Sequence, residues 1–290
     1  MKFSAKQSEQ FVRLMRVALC ALSLLLWSAC ANRPNAGAPR SNEPPYPVLM
    51  TETAERRDAA LAAWTRFTTE QGITNSPQPE FQPVTATLRS LPTLTGTPIY
   101  LPKVGQGATM TEEDTRESLR RFITSISELT GAQPQQLSLV QRADLADGTK
   151  KARYEQRPFR FPLRGGYGVL EITFAPDRRV IQVTSTCIPE IEQLQRAGAG
   201  IRPKLTADQV PARIAGKTFT YTDATGTHQT FTVAKEDEIT VRELVVYPTP
   251  RLTDPSVLEF HLAWEILVGR EPNQRTIYLD AVTNEIITVR

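Results

Sequence analysis

The sequence predicts an α+β protein built as two successive units, each a helix followed by an antiparallel sheet. From Val257 to Val268, the residues Leu258, Phe260, Leu262, Trp264, Ile266 and Val268 fall on every second position, which places them on one face of an extended strand. Between 109 and 131, Leu119, Phe122, Ile123, Ile126 and Leu129 keep the spacing of one helix face. A capped helix start followed by short alternating runs and turn residues occurs over 109–187 and again over 205–290.

In chain order, Lys2, Lys6, Arg13 and Arg16 precede the apolar run Val17–Trp27. That run is too short to span a bilayer comfortably and has the form of a signal peptide, residues 1–29. The segment Leu26-Trp-Ser-Ala-Cys30 resembles a bacterial lipobox, with Trp27 where Leu is usual, and makes Cys30 the candidate lipidation site. A lipid on Cys30 would hold the protein to a membrane, at its periplasmic face or at the cell surface, and Ala31 favours outer-membrane sorting in a two-membrane bacterium. The alternative is an ordinary signal-peptidase site at Ala29-Cys-Ala31, which would release a soluble secreted protein.

Residues 30–50, rich in Pro, Asn, Ala and Ser without an apolar period, predict a tether. Residues 51–108 follow as a helix and an extended segment. Thr51 or Thr53 can cap the helix, Ala54, Leu61, Trp64 and Phe67 mark its apolar side, and Gly72 ends it. Short extended pieces at Pro83–Leu88 and Pro98–Leu101 lie among prolines. Thr109 with Glu112 predicts a capping box for the next helix, Gly131 its end, and Glu112, Glu113 and Asp114 suit the positive end of its dipole.

Strands are then predicted at 137–142, 151–156, 168–174 and 180–186, with turns at Ala146-Asp-Gly148 and Pro176-Asp-Arg178. Residues 188–204 read as a linker with a short helix. Thr206 and Gln209 form a second capping box with Leu205 and Val210 as its staple, and Pro211 keeps that helix short. Strands at 217–221, 229–234 and 238–247 lead into the final meander. There Ile277 and Leu279 resume the apolar row, and Asn284 takes a left-handed turn position before the last strand.

Without residues 1–29 the chain carries thirty Lys and Arg against thirty Asp and Glu, so the pI of 8.8 is largely a property of the leader. A neutral chain gives no electrostatic ground for nucleic acid as a partner. The pairs Arg120-Arg121, Lys150-Lys151 and Arg178-Arg179 also lack the interleaved aromatics that a single strand stacks on. Cys20 leaves with the leader and Cys30 is assigned to lipid, so Cys187 has no disulfide partner and reads as a small apolar strand-end residue.

The run Leu262-Ala-Trp-Glu-Ile266, followed by Ile277-Tyr-Leu-Asp-Ala281 and Thr283-Asn-Glu-Ile286, resembles the end of a PepSY domain, as found in thermolysin-type metallopeptidase propeptides. Thr95-Gly-Thr-Pro98, Tyr154-Glu-Gln156 and Gly166-Tyr-Gly168 before Leu170-Glu-Ile172 resemble the FTP part of the same propeptides, in the order that family has them. The stretch 157–164 departs from that pattern by inserting charge, Phe and Pro. The resemblance covers roughly residues 60–290 and implies an FTP-like unit at 109–187 and a PepSY-like, cystatin-like unit at 205–290. It implies binding, with a peptidase as the partner class, and no catalytic role for these positions.

The residues themselves offer little chemistry. His228 and His261 are the only histidines, and no HExxH, GxSxG, Walker loop, GxGxxG or CxxC is present. Glu259, His261 and Glu265 share a strand face, but with Ala263 between the last two they fit a solvated polar face better than a metal site. The sequence therefore predicts no catalytic residues, no cofactor and no metal. Its expected function is a non-catalytic envelope lipoprotein that binds, and as linked propeptides do inhibits or chaperones, a peptidase. The alternative is a structural lipoprotein of an envelope assembly with no peptidase link.

Overall fold

A computed structural model describes residues 45–290 apart from 93–95, 108–109, 158–159, 223–224 and 273. The signal peptide, Cys30 and most of the tether lie outside the described residues. The fold is α+β, with antiparallel sheets and few helices.

The first sheet has six strands: β2 (Glu80–Phe81), β3 (Leu88–Ser90), β4 (Leu137–Asp144), β5 (Lys150–Gln156), β6 (Val169–Phe174) and β7 (Val180–Ser185). Their order is β2-β3-β7-β6-β5-β4, antiparallel throughout. Period-two alternation buries Leu170, Ile172 and Phe174 and turns Glu171 outward to pair with Lys151 and Arg153 at 2.8 Å each. Two helices, α1 (Ala54–Glu70) and α2 (Glu112–Ser125), supply Trp64, Phe67, Leu119, Phe122 and Ile123 to the same core.

Helix starts follow side-chain chemistry closely. Thr53 caps α1 by accepting from the Arg56 amide at 3.2 Å. The buried stripe of α1 runs through Ala60, Ala63, Trp64 and Phe67, which leaves Leu61, expected inside, 41 % exposed. The capping box of α2 is Thr111 with Asp114 rather than Thr109 with Glu112. The Asp114 amide donates to Thr111 Oγ1 at 3.1 Å, and the Thr111 amide donates to Asp114 Oδ2 at 3.0 Å. Glu112 is the first helical residue, two positions too early to close a box. The helix breaks at Ile126 into a short α3 (Ser127–Thr130), which Gly131 ends in the left-handed conformation.

The second sheet has five strands: β1 (Val48–Thr51), β10 (Ile239–Arg251), β11 (Asp254–Val268), β12 (Arg275–Asp280) and β13 (Ile286–Val289). Along one edge of β11, β10 pairs over nearly its whole length. The other edge is shared end to end by β1, which faces Val257–Phe260, and β12, which faces Ala263–Val268. The predicted tether therefore does not run to residue 50: Val48 and Met50 are buried against Leu258 and Phe260, and the backbone completes a ladder. Asn284 adopts φ +65°, the left-handed turn position expected of it.

Residues 188–204 are not a linker between separate bodies. Ile188 and Ile191 are fully buried, and α4 (Ile191–Gly198) packs with Val48, Met50, Val84, Leu258 and Phe260. The buried Gln156 amide group donates to the Ile188 carbonyl and accepts from its amide, both at 2.9 Å, which welds the first sheet to this crossing. Beyond it, Leu205 and α5 (Val210–Ile214) behave as predicted, with Pro211 early in the helix and Gln209 accepting from the Thr206 amide at 3.1 Å. The hairpin of β8 (Thr218–Thr222) and β9 (His228–Thr232) forms a separate sheet that packs Phe219, Tyr221 and Phe231 against Ile266, Val268 and Ile277.

Truncating a fully buried side chain in the first sheet removes its transfer energy and leaves a cavity. Ile172→Ala is expected to cost about 2–5 kcal/mol, read as a lowered midpoint in urea unfolding with an unchanged slope.

Candidate functional site

The six apolar residues of the last long strand lie on one face as predicted. Phe260 is 4 % exposed, and the half-buried Trp264 donates its indole N–H to the Leu205 carbonyl at 2.8 Å. The opposite face carries Glu259, His261, Ala263 and Glu265, and it is not a solvated face. Glu265 is 4 % exposed and His261 is half-buried, because neighbouring strands and an arm from the first unit lie over them.

Two polar clusters divide this face. In the first, Tyr46 reaches the place where β1 gives way to β12. Its hydroxyl accepts from the Leu262 amide at 3.0 Å and donates to Asp280 Oδ2 at 2.7 Å. Nδ1 of His261 lies 2.8 Å from the same oxygen, and Nε2 lies 3.4 Å from Glu259 Oε2, whose other oxygen accepts from Arg251 at 2.6 Å. Asp280 Oδ1 accepts from the Val282 and Thr283 amides at 2.8 Å each. Burial works against the charge on Asp280. The hydrogen bonds from His261 and Tyr46, helped by the two amides, outweigh it and hold the carboxyl below the usual carboxylate range. The Tyr46 phenol is pushed up by burial first and by Asp280 second, so it stays protonated and donating.

In the second cluster, Glu265 accepts from Arg164 at 2.7 Å and from Arg242 at 3.0 Å, while Arg164 also reaches Glu243 at 2.6 Å. Arg164 belongs to the stretch 160–168, which docks on the outer edge of β10 through Pro162, Leu163 and Arg164. Its amide donates to the Val246 carbonyl at 3.0 Å, and the Val246 amide donates to the Pro162 carbonyl at 2.9 Å. Gly165 must be glycine, since it sits at φ +77° and a Cβ there would meet the Pro248 carbonyl at 3.1 Å and the Tyr247 ring at 3.3 Å. The segment that departs from the propeptide pattern is thus the arm that joins the two units.

Sequence reasoning grouped Glu259, His261 and Glu265, and the structure separates them. His261 and Glu259 belong with Asp280 and Tyr46, and Glu265 belongs with two arginines. Among the described residues no three of His, Cys, Asp and Glu are placed to hold a metal ion. The His261–Asp280 pair has the form of two members of a hydrolytic triad, yet the outward ring nitrogen faces a carboxylate where a triad would hold a hydroxyl or thiol. Cys187 is fully buried, and its thiol is pushed up to about 12 by burial, so it is no nucleophile at neutral pH. Tyr46, Arg164 and Asp280 had no signal of their own in the sequence. Asp280 stood within the quoted Tyr-Leu-Asp-Ala motif, and only the fold shows what it binds.

Alongside these clusters runs a groove of about 790 Å³, lined by Tyr167, Tyr247, Pro248, Leu252, Ile287 and Arg290 among others. Leu252, at the tip of the β10–β11 hairpin, is 82 % exposed beside it. In comparisons with known proteins, no protein-family model and no curated protein matches the chain. Among solved structures it is similar to the Bacillus megaterium YpeB C-terminal domain, at 12 % identity, over 83 % of this chain and 98 % of that one, with a TM-score of 0.30.

The folded carboxyl of Asp280 is depressed below its unfolded value, near 3.9, so its stabilisation is complete above that value and fades as pH falls through the lower folded one. Asp280→Asn is expected to lose about 1.5–3 kcal/mol at pH 7, the worth of hydrogen bonds to a charged group. That difference from the unmodified protein should shrink below about pH 4, which urea unfolding across pH 2–7 would read.

Proposed function

We propose that the chain is a non-catalytic protein of the bacterial envelope, held to a membrane through Cys30, that binds an extended segment of a partner protein in the groove beside Tyr167 and Tyr247. A thermolysin-type peptidase is the partner class that the PepSY and FTP resemblance implies, with inhibition or chaperoning as the outcome of binding. The observation that carries the non-catalytic reading is the commitment of Glu259, His261, Glu265 and Asp280 to one another and to arginines. Groups locked in this way hold structure together and are not poised to exchange protons with a substrate.

The groove suits a polypeptide for a separate reason. The half-buried Tyr167 and the exposed Leu252 supply aromatic and aliphatic contact area, with the buried Tyr247 behind them. β13, the terminal strand of its sheet, lies along the same groove through Ile286, Ile287, Thr288 and Val289. Edges of this kind accept an added strand, which gives affinity through main-chain hydrogen bonds.

Titrating the purified protein into a thermolysin-type metallopeptidase should lower peptide hydrolysis in a saturable way while the protein stays intact; rapid cleavage with no loss of rate would remove the peptidase from the proposal. Crosslinking in the native envelope that recovers assembly components in place of a peptidase would move the function to the structural alternative. For the anchor, Cys30→Ser is expected to shift the protein from the membrane fraction to the soluble one.

A further inference from the structure

The β10–β11 hairpin presents a long apolar face opposite the polar clusters, and the two short helices beside it do not cover it completely. α4 spans eight residues and α5 five. Under the connection between them, a cavity of about 570 Å³ opens. Leu244, Val246, Phe260 and Leu262 form its floor, Leu194 and Ile201 one wall, and Val48 of β1 an end. Leu244 and Val246 are only half-buried, as the floor of an open site would be. The volume falls within the roughly 300–1,000 Å³ of small-molecule sites.

Arg160 and Arg202 stand with the apolar residues that line this cavity, both exposed. Arg202 is held in place by donating to the Ala199 carbonyl at 2.7 Å and the Ile201 carbonyl at 3.1 Å. Arg160 lies over the Phe161 ring, 5.4 Å from its centroid. Neither guanidinium has a carboxylate partner among the described residues, whereas Arg164, Arg242 and Arg251 on the polar side all do. An apolar chamber with two uncompensated cations at its rim matches a molecule with one apolar chain and one compact anionic head.

The chain's own tether does not supply that molecule. Residues 31–44, ANRPNAGAPRSNEP, contain no large apolar side chain. We propose that this cavity binds a single-chain fatty carboxylate, the hydrocarbon lying over Phe260 and Leu262 and the carboxylate meeting Arg160 and Arg202. His261 is the one residue that lines both this cavity and the partner groove, so changes at Arg160, Gly198 and Arg202 test the cavity without touching the lining of the groove.

Gly198 gives a clean way to close the chamber. A Cβ there meets only Ile201 and Val48 at 3.9 Å, ordinary contact distance, so a larger side chain enters between two lining residues without forcing the backbone. The full chain carrying Cys30→Ser, so that no attached acyl chain competes, would be titrated below the micelle concentration with C10–C16 fatty acids and matching fatty alcohols. Calorimetry would read affinity, and thermal melting would confirm that each variant folds.

Saturable binding is expected, tightening roughly 4-fold per added methylene, the factor set by about 0.8 kcal/mol per buried CH₂. Gly198→Phe should weaken acids and alcohols alike by at least about 10-fold. The double variant Arg160→Glu/Arg202→Glu should weaken the acids by about the same factor and spare the alcohols. If Gly198→Phe fails to fold, Ala199→Phe, at an exposed lining position, takes its place. The proposal is overturned by absence of saturable binding, by equal affinity for acid and alcohol, by binding indifferent to both filling variants, or by an apolar-ended peptide displacing the acid more tightly than a longer acid does.

Discussion

The place where β1 stops and β12 starts is the constraint on which the second sheet depends. A fifteen-residue strand with β10 along one edge needs hydrogen-bond partners along the other, and no single short strand supplies them all. Two strands meet there end to end, and the amide between them, that of Leu262, has no backbone acceptor from either. The Tyr46 hydroxyl takes it, while the Leu262 carbonyl accepts from the Ala281 amide at 2.8 Å. Because that hydroxyl then donates to Asp280, a single joint in the ladder organises the carboxylate, the His261 ring and, through Glu259, Arg251. A buried carboxylate is tolerable only with such a complement of donors.

With both of its edges occupied, β11 has to cover both faces as well. Its apolar face is served by α4, α5 and the β8–β9 hairpin. Its polar face holds Glu265, whose side chain retains 5 % of its exposure and is matched by Arg164 from the other unit. Removing one partner of such a pair strands the other charge. The arm 160–168 is thus tied to the C-terminal sheet by electrostatics as well as by the backbone bonds at Val246. The two predicted units are successive in sequence, but α4, β1 and this arm pack them into one body over the described residues from 45 to 290.

Local patterns in the sequence were read well where the physics is local. The period-two row from Leu258 to Val268, the Thr206–Gln209 box with Pro211, the left-handed Asn284 and the buried strand-end Cys187 depend on neighbours a few residues away. Where the partner is distant, the local pattern is silent. Residues 48–50 are all apolar, but three such residues after a Pro-rich stretch are too few to display a period, and only pairing with 258–260 makes them a strand. Ile188 and Ile191 look like a linker because a one-turn apolar pair has no periodicity to display. Glu259, His261 and Glu265 share a face by alternation, but alternation cannot say that Asp280 would draw one away and Arg164 another. The capping box lies two residues further on than expected because Thr111 has Asp114 three residues later, a second Thr-x-x-acid pattern that the sequence offers beside Thr109 and Glu112.

The clasp between Tyr46 and Asp280 joins positions 234 residues apart. A ribosome delivers the first of them long before the second exists. Strand β1 must therefore wait, unpaired, through the synthesis of nearly everything else, and the ladder can be completed only after the meander it borders has emerged. Loop closure over such a span is slow compared with the making of hairpins and helices. The opening segment of the folded body is in this sense its last piece to be fitted, and the keystone of the C-terminal sheet arrives from the far end of the polypeptide.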